Sequence, residues 1–227
     1  MTSEDQTITN RVHLAGEIVT EPKLTHEICS EGFYESFVSV PRLSDQRDVI
    51  PVTAAERLLC DRQIKVGDNI CIEGQFRSYN KMVEGRSKLM LTVFVKEFID
   101  DDNGTVNPNS VELTGYVCKD PIYRTTPLSR EICDLLIAVN RAFNKSDYIP
   151  CISWGRNARY CRTLAVGTKL RVAGRIQSRN YVKKLSDELS ETRTAYEISV
   201  GRIELLPSDF HAANDCAATV NNEDPEE

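Results

Sequence analysis

The sequence repeats itself at a spacing of about one hundred residues, and this constrains the fold more than any other feature. Arg11–Val19 matches Ser110–Cys118, and Pro22 matches Pro121 at the same offset. Further matches follow in the same order: Phe37–Arg42 with Leu136–Arg141, Ile50–Val52 with Ile149–Cys151, Val66–Asp68 with Val166–Thr168, and Glu73–Phe76 with Ala173–Ile176. A repeat of this length predicts two copies of one domain.

Each copy contains five segments in which apolar and polar residues alternate, a pattern typical of half-buried β-strands. In the first copy we expect strands near 11–19, 33–42, 49–53, 69–78 and 88–98, with a helix over 54–63. In the second we expect strands near 110–118, 132–140, 148–154, 169–178 and 194–206, with a helix over 156–164 that ends before Gly167. Periodicity alone does not separate the OB-fold from other small barrels, but this order of strands and helix is that of the OB-fold. The sequence therefore predicts an all-β chain of two tandem five-stranded OB-fold barrels, each with one short helix between strands 3 and 4.

Composition indicates the domain limits. We expect a disordered N-terminus over 1–9, a divergent OB-fold domain over 10–101 and a second OB-fold domain over 110–206. The segment 102–109 is polar and rich in turn-forming residues, so we interpret it as a linker. From 207 to 227 the chain is acidic and has small side chains, which predicts a disordered tail.

One strand of the second copy carries its cations on a single face. Successive side chains of a strand point to opposite sides, so Lys169–Tyr181 has one apolar or small face and one face formed by Lys169, Arg171, Ala173, Arg175, Gln177, Arg179 and Tyr181. A solvated outer face is one interpretation. A face without carboxylates that ends in an aromatic ring also suits a polyanion whose bases stack, so we expect single-stranded nucleic acid to bind here.

A net charge of −6 for the whole chain argues against nucleic-acid binding, but the charge differs strongly between the two copies. Residues 10–101 hold 12 Lys and Arg against 15 Asp and Glu, whereas residues 110–206 hold 16 against 10. Within 141–184 there are eleven cations and one acid, Asp147. The basic charge is therefore concentrated in the second copy, which we expect to be the principal binding domain.

Several classes of protein are disfavoured by the composition. The eight cysteines include no C-x-x-C pair and there are only three histidines, so we expect no metal site and a reducing, cytoplasmic location. No apolar run approaches the ~18 residues of a membrane span, and the polar, acidic start does not resemble an export signal. We find no set of catalytic residues and expect neither enzymatic activity nor a cofactor.

Two aromatic residues lie six positions apart on one predicted strand of the second copy. Tyr148 and Trp154 therefore project from the same face, while Ile149 and Cys151 point inward. A lone tryptophan is often a core residue, which is the alternative interpretation. The shared face with Tyr148 favours exposed rings on which bases can stack.

Four separated blocks of the second copy resemble the bacterial single-stranded DNA-binding protein family. The blocks are Gly115–Pro121, Ala138–Phe143, Tyr148–Arg156 and Gly174–Tyr181. The resemblance covers nearly all of 110–206 and, more weakly, 10–98. It implies sequence-tolerant binding and protection of single-stranded DNA in replication, recombination or repair. It also implies base stacking on Phe143, Tyr148, Trp154 and Tyr181, and a homodimer that brings four OB domains together.

Phosphate neutralisation is the expected role of the cations around these blocks. The candidates are Arg141, Lys145, Arg156, Arg171, Arg175, Arg179, Lys183 and Lys184. The first copy departs from the pattern, because Ser44, Val49, Ala55 and Lys81 occupy the positions of the four rings. Its weaker candidates are Arg77, Tyr79 and Lys81. We expect this copy to bind DNA weakly and to provide mainly scaffold or subunit contacts.

Two alternative functions remain open from the sequence. The barrels could form a protein-interaction module of the primosome type with weak DNA binding. They could also form an RNA-binding OB protein, since base stacking does not distinguish ribose from deoxyribose.

Members of the single-stranded DNA-binding protein family usually end in an acidic stretch that is closed by an apolar tip. This sequence ends in Pro225-Glu226-Glu227, so we do not expect partner recruitment through the tail.

Overall fold

A computed structural model of the chain describes residues 9–60, 62–83, 85–100, 108–184 and 190–207. The predicted disordered ends lie outside these residues except for positions 9 and 207, and the predicted linker lies outside them except for 108 and 109. Within these ranges no helix has both the length and the apolar composition needed to cross a bilayer.

The described residues form mainly strands, and the two halves follow the same order. The first half contains β1 (Asn10–Ile18), β2 (Lys23–Ile28), β3 (Glu31–Pro41), β4 (Arg47–Ala55), α1 (Glu56–Leu59), β5 (Asn69–Val83) and β6 (Arg86–Phe98). The second contains β7 (Asn109–Val117), β8 (Ile122–Thr125), β9 (Glu131–Arg141), β10 (Lys145–Trp154), α2 (Arg156–Cys161), β11 (Lys169–Lys184) and β12 (Ser190–Leu205). Both helices are shorter than predicted.

Each half closes into a barrel of five strands. In the first, β1 pairs with β5 and with β3, while β4 and β6 close the barrel by parallel pairing at Val52 and Val93. In the second, β7 pairs with β11 and β9, and β10 is parallel to β12 at Cys151 and Ile198. The two OB-fold barrels are confirmed, with each helix between the third and fourth barrel strands.

Each half also has a sixth, short strand that the sequence did not predict. Strand β2 forms a hairpin with the start of β3, and β8 does the same with β9. Every residue of β2 is exposed, and β8 is nearly as open to solvent. These strands were missed because a strand with no buried face has no alternation of apolar and polar residues to detect.

The repeated glycines lie where the barrels close. Gly16 on β1 crosses β3 so closely that a Cβ atom there would lie 2.5 Å from the Ser39 carbonyl oxygen. Gly115 on β7 meets the Ala138 carbonyl oxygen in the same way. A larger side chain would push the two strands apart. The glycine is therefore required in both copies by backbone approach, independently of any binding role.

The two barrels are joined by antiparallel pairing of their first strands. Val12 lies opposite Val111, and Leu14 lies opposite Asn109. The Asn10 side chain of the first barrel and the Asn109 side chain of the second each bond a backbone strand of their own barrel, at Phe76 and Ile176. Pairing of β1 with β7 leaves neither strand as an open edge and makes one continuous sheet of the described strands.

Candidate nucleic-acid interface

The outer side of β10 carries two exposed rings separated by buried residues. The relative exposure of Tyr148 is 45% and that of Trp154 is 39%. Between them, Ile149 and Cys151 are buried in the core of the second barrel. The alternative in which Trp154 is a core residue is therefore wrong. The barrel core holds the strand rigid while its outer side presents an indole and a phenol.

Phe143 is the most exposed of the four rings. It lies in the turn between β9 and β10, and its relative exposure is 93%. Its backbone φ is 62°, and that of the next residue, Asn144, is 53°. Asparagine tolerates this left-handed region, whereas a phenylalanine held there is uncommon and strained. The turn therefore places an apolar ring in solvent at a conformational cost.

Tyr181 is the fourth ring and lies towards the end of β11, opposite Arg193 on β12. Its relative exposure is 38%. All four candidate rings thus face solvent on the second barrel, on β10, the turn before it and the β11–β12 hairpin.

The cations of β11 do not form the bare cationic face that the strand pattern suggested. Arg171 Nη1 lies 3.3 Å from Glu204 Oε2, and Arg179 Nε lies 3.5 Å from Glu197 Oε1. Arg175 Nη1 lies 3.2 Å from Asp48 Oδ2 of the first barrel. Neighbouring strands supply these carboxylates, so alternation within β11 could not reveal them. The Arg171–Glu204 pair is partly exposed on both sides and contributes only about 0–1 kcal/mol, so a phosphate could replace that carboxylate.

Two other candidate cations make no ion pair with any described residue. Lys145 begins β10, and Arg156 begins α2 directly after Trp154 and Gly155. Both side chains are exposed. They lie at the two ends of the strand that carries the rings, where a phosphate would meet an uncompensated positive charge. Lys183 and Lys184 belong to β11, but their side chains lie outside what the structure describes.

A buried aspartate from the first barrel joins the two barrels, in what we call the Asp48 contact. Asp48 accepts hydrogen bonds from Arg42 Nε at 2.7 Å and from the Ser178 N–H of the second barrel at 2.7 Å. Arg175 adds a third, cross-barrel donor. Burial acts to raise the pKa of Asp48. The hydrogen bonds and the charges of Arg42 and Arg175 outweigh burial, so its pKa lies below the ordinary value.

The equivalent residue of the second copy makes the matching Asp147 contact. Asp147 accepts a hydrogen bond from the Ser78 N–H of the first barrel at 2.8 Å, and Arg141 Nη1 lies 3.4 Å from it. Asp48 and Asp147 stand 99 positions apart, and the serines stand 100 apart. Neither contact was predicted from the sequence. The sequence did contain a signal for them, namely a carboxylate at the same position in both copies. The apolar pattern of the barrel does not account for such a carboxylate.

The first barrel has no rings at the four equivalent positions. Ser44 and Lys81 are exposed polar residues, Val49 is exposed, and Ala55 is buried. Of the weaker candidates, Tyr79 is 42% exposed. Arg77 is half-buried, with its Cζ atom 3.8 Å from the centroid of the Phe94 ring.

Known proteins resemble both the sequence and the fold. The model of the Single-strand binding protein family matches residues 108–206. The chain is 32% identical over 121 residues to single-stranded DNA-binding protein 2 of Listeria innocua, which covers 50% of this chain and 72% of that protein. It is 40% identical over 80 residues to single-stranded DNA-binding protein 1 of Staphylococcus aureus, covering 32% of this chain. The chain spans 48% of that relative, about half its length.

Among solved structures, the wild-type single-stranded DNA-binding protein of Thermus aquaticus has a similar fold. The TM-score is 0.68 at 19% sequence identity, and the match covers 87% of this chain and 93% of that one. At this identity the likeness concerns the fold alone. It covers both barrels, whereas the family model matches only the second.

Proposed function

The chain belongs to the single-strand binding protein family, and from that premise we propose that it binds and protects single-stranded DNA with little regard to base sequence. The observation that carries this proposal is the pair of exposed rings on β10, Tyr148 and Trp154, above a buried core. Stacking on such rings is tolerant of sequence because every base has an aromatic face, and each ring contributes about 1–3 kcal/mol. Phe143 and Tyr181 extend the stacking surface.

Phosphate contacts form the second part of the proposal. Lys145 and Arg156 contribute most, because no carboxylate among the described residues neutralises them. Arg141, Arg171, Arg175 and Arg179 contribute less, since a phosphate must compete with a carboxylate for each. We include Lys183 and Lys184 for their place at the end of β11. Binding of this kind needs no cofactor and no catalysis, and we place it in the bacterial cytoplasm, in replication, recombination or repair.

The first barrel has a mainly supporting role in this proposal. Its strand β1 pairs with β7, and its Asp48 binds the Ser178 N–H on β11 of the second barrel. These contacts hold β11, a proposed binding strand, in a fixed position. The absence of rings at Val49 and Ala55 supports weak DNA binding by this barrel alone.

We propose further that the chain forms a homodimer, which would bring four barrels together. The expected mass in light scattering at micromolar concentration is twice the 25.6 kDa of one chain. A single species of 25.6 kDa over the whole concentration range would contradict this part of the proposal and leave DNA binding untouched.

The proposal is tested by titrating the full chain with nucleic acids while following the fluorescence of Trp154, the one tryptophan in the sequence. Oligothymidine should quench the indole, and log K should fall linearly with log[salt]. Duplex DNA of equal length should bind much more weakly, because its bases are not available for stacking. Oligouridine binding as tightly as oligothymidine would favour the RNA-binding alternative. Absence of quenching by either oligonucleotide would reject the proposed site.

A further inference from the structure

The Asp147 contact places a proposed stacking ring of the second barrel beside a strand of the first. The Tyr148 N–H donates a hydrogen bond to Ser78 Oγ at 2.8 Å, and the preceding residue, Asp147, accepts one from the Ser78 N–H. Two consecutive residues of β10 are thereby fixed on one residue of β5. Arg77 and Tyr79 flank Ser78 along β5, so their backbone lies at the boundary between the barrels.

The Asp147 contact contains two guanidinium groups and one carboxylate. Arg141 lies 3.4 Å from Asp147, which is itself buried. Arg77 donates from Nε and Nη2 to Gln75 Oε1 at 3.2 and 2.7 Å, and this acceptor is a neutral amide. Arg77 makes no ion pair with a described carboxylate. Among the described residues, the region therefore holds two guanidinium groups for one carboxylate.

The surroundings of Arg77 make this charge costly when no anion is present. Burial lowers the pKa of Arg77, and repulsion by the nearby Arg141 lowers it further, with Asp147 opposing both. The guanidinium Cζ lies 3.8 Å from the centroid of the Phe94 ring. A partly desolvated guanidinium near a second one suits a phosphate, whose oxygens accept from both groups.

The positive charge continues along β5 beyond this point. Tyr79 is 42% exposed, and the next residue on its side of the strand, Lys81, lies directly opposite Lys88 on β6. Both lysine side chains are exposed, and like charges directly opposite each other in a sheet are destabilising. A nucleic-acid backbone that passes Tyr79 would relieve this repulsion.

The Asp48 contact differs from the Asp147 contact in how its guanidinium groups are paired. There both guanidiniums, Arg42 and Arg175, donate to the single carboxylate. The position equivalent to Tyr148 is Val49, so no ring accompanies them. The Asp48 contact is a structural link between the barrels, whereas the Asp147 contact keeps an uncompensated arginine beside exposed rings.

We infer that Arg77 and Arg141 jointly bind one backbone phosphate of single-stranded DNA at the Asp147 contact, and that the strand crosses there from Tyr148 on the second barrel to Tyr79 on the first. The inference rests on the proposed function and goes beyond it. The first barrel then contributes to binding through its boundary with the second barrel, and not through the four positions equivalent to the second barrel's rings. The part of this binding surface that lies on the first barrel is formed by Arg77, Tyr79, Lys81 and Lys88.

The test is Arg77→Gln in the full chain, titrated with oligothymidine at several salt concentrations while Trp154 fluorescence is followed. Losing one phosphate contact should make the slope of log K against log[salt] shallower by about 0.7. Quenching at saturation should stay at the wild-type level, because Trp154 still stacks. Arg57→Gln is the matched control, an exposed arginine on α1 of the same barrel that pairs with Glu31. It should leave the slope unchanged.

The outcomes separate this inference from the proposed function. If the wild-type chain shows no quenching, the proposed function fails. If wild-type quenching is present and Arg77→Gln has the wild-type slope, only this inference is overturned, even where affinity or thermal stability falls. Arg77→Lys distinguishes charge from packing: it keeps the charge and should restore the slope even if it lowers the Tm. A slope that stays shallow in Arg77→Lys would also overturn the inference.

Discussion

Replacing Asp48 with alanine is expected to lower the free energy of unfolding by about 3–5 kcal/mol, the usual cost of removing one partner from a buried ion pair. The variant leaves the half-buried Arg42 and Arg175 without their carboxylate, and it leaves the Ser178 N–H without its acceptor. These groups lie on both barrels, so the loss loosens the contact that holds β11 against the first barrel. The midpoint of urea denaturation measures the effect.

Asp134→Ala is the control for this prediction. Asp134 also pairs with an arginine, Arg124, at 2.9 Å, but its side chain is 34% exposed whereas that of Asp48 is 1% exposed. Removing that pair should cost no more than about 1 kcal/mol. If Asp48→Ala cost as little as Asp134→Ala, the Asp48 contact would not be a major source of stability.

The stabilisation by Asp48 should also depend on pH. Its pKa in the folded chain lies below the ordinary carboxyl value of about 3.9, because the hydrogen bonds and the two arginine charges outweigh burial. A carboxylate whose pKa is lower in the folded state stabilises fully above its unfolded pKa and loses that effect as the pH falls through the folded pKa. The stability difference between wild type and Asp48→Ala should therefore shrink below about pH 4. A difference that stayed constant to lower pH would contradict the assignment.

Replacing Trp154 with alanine is expected to weaken binding of oligothymidine by about 5- to 150-fold, which corresponds to the loss of one stacked base. Because Trp154 lies on the outside of β10, the Tm should change much less than the affinity. The variant has no tryptophan fluorescence, so binding is measured by the fluorescence polarisation of a labelled oligonucleotide.

Two further variants show whether stacking is the cause. Trp154→Phe keeps an aromatic face and should recover much of the affinity. Tyr160→Ala removes a ring of similar exposure, 40%, from α2 outside the proposed stacking surface, and should leave the affinity unchanged. Equal losses in Trp154→Ala and Tyr160→Ala would mean that ring removal acts through general disturbance of the surface, and the stacking role of Trp154 would be rejected.

The sequence predicted the barrels well because their cores depend on local alternation. Val12 and Leu14 alternate with Arg11 and His13, and both apolar residues are buried as that pattern requires. Strand parity placed Tyr148 and Trp154 outside for the same reason. The repeat strengthened these predictions, because the same pattern in both copies supports the same fold for each. Strand β2 was missed because a fully exposed strand has no such pattern.

The charge environment of the candidate site could not be obtained in this way. Strand β11 has no carboxylate on its cationic face, yet Arg171, Arg175 and Arg179 all have carboxylate partners in the structure. Glu204 and Glu197 come from the paired strand β12 and Asp48 comes from the first barrel, so these contacts depend on strand register and on the docking of the two barrels. The alternation of apolar and polar residues shows which side of a strand faces the core. It does not show which side chains of other strands lie beside the outward-facing residues.

By itself, the amino-acid sequence determined that this chain forms two similar barrels and that the second has rings and cations on its surface, because burial and parity act between residues close in sequence. Only the tertiary structure decided which cations are already neutralised, and that β1 pairs with β7 and brings Ser78 onto Asp147 and Tyr148. Those contacts join residues about 70 to 130 positions apart, and hydrogen bonds and ion pairs act only over a few ångströms. They exist only after both barrels have folded and docked.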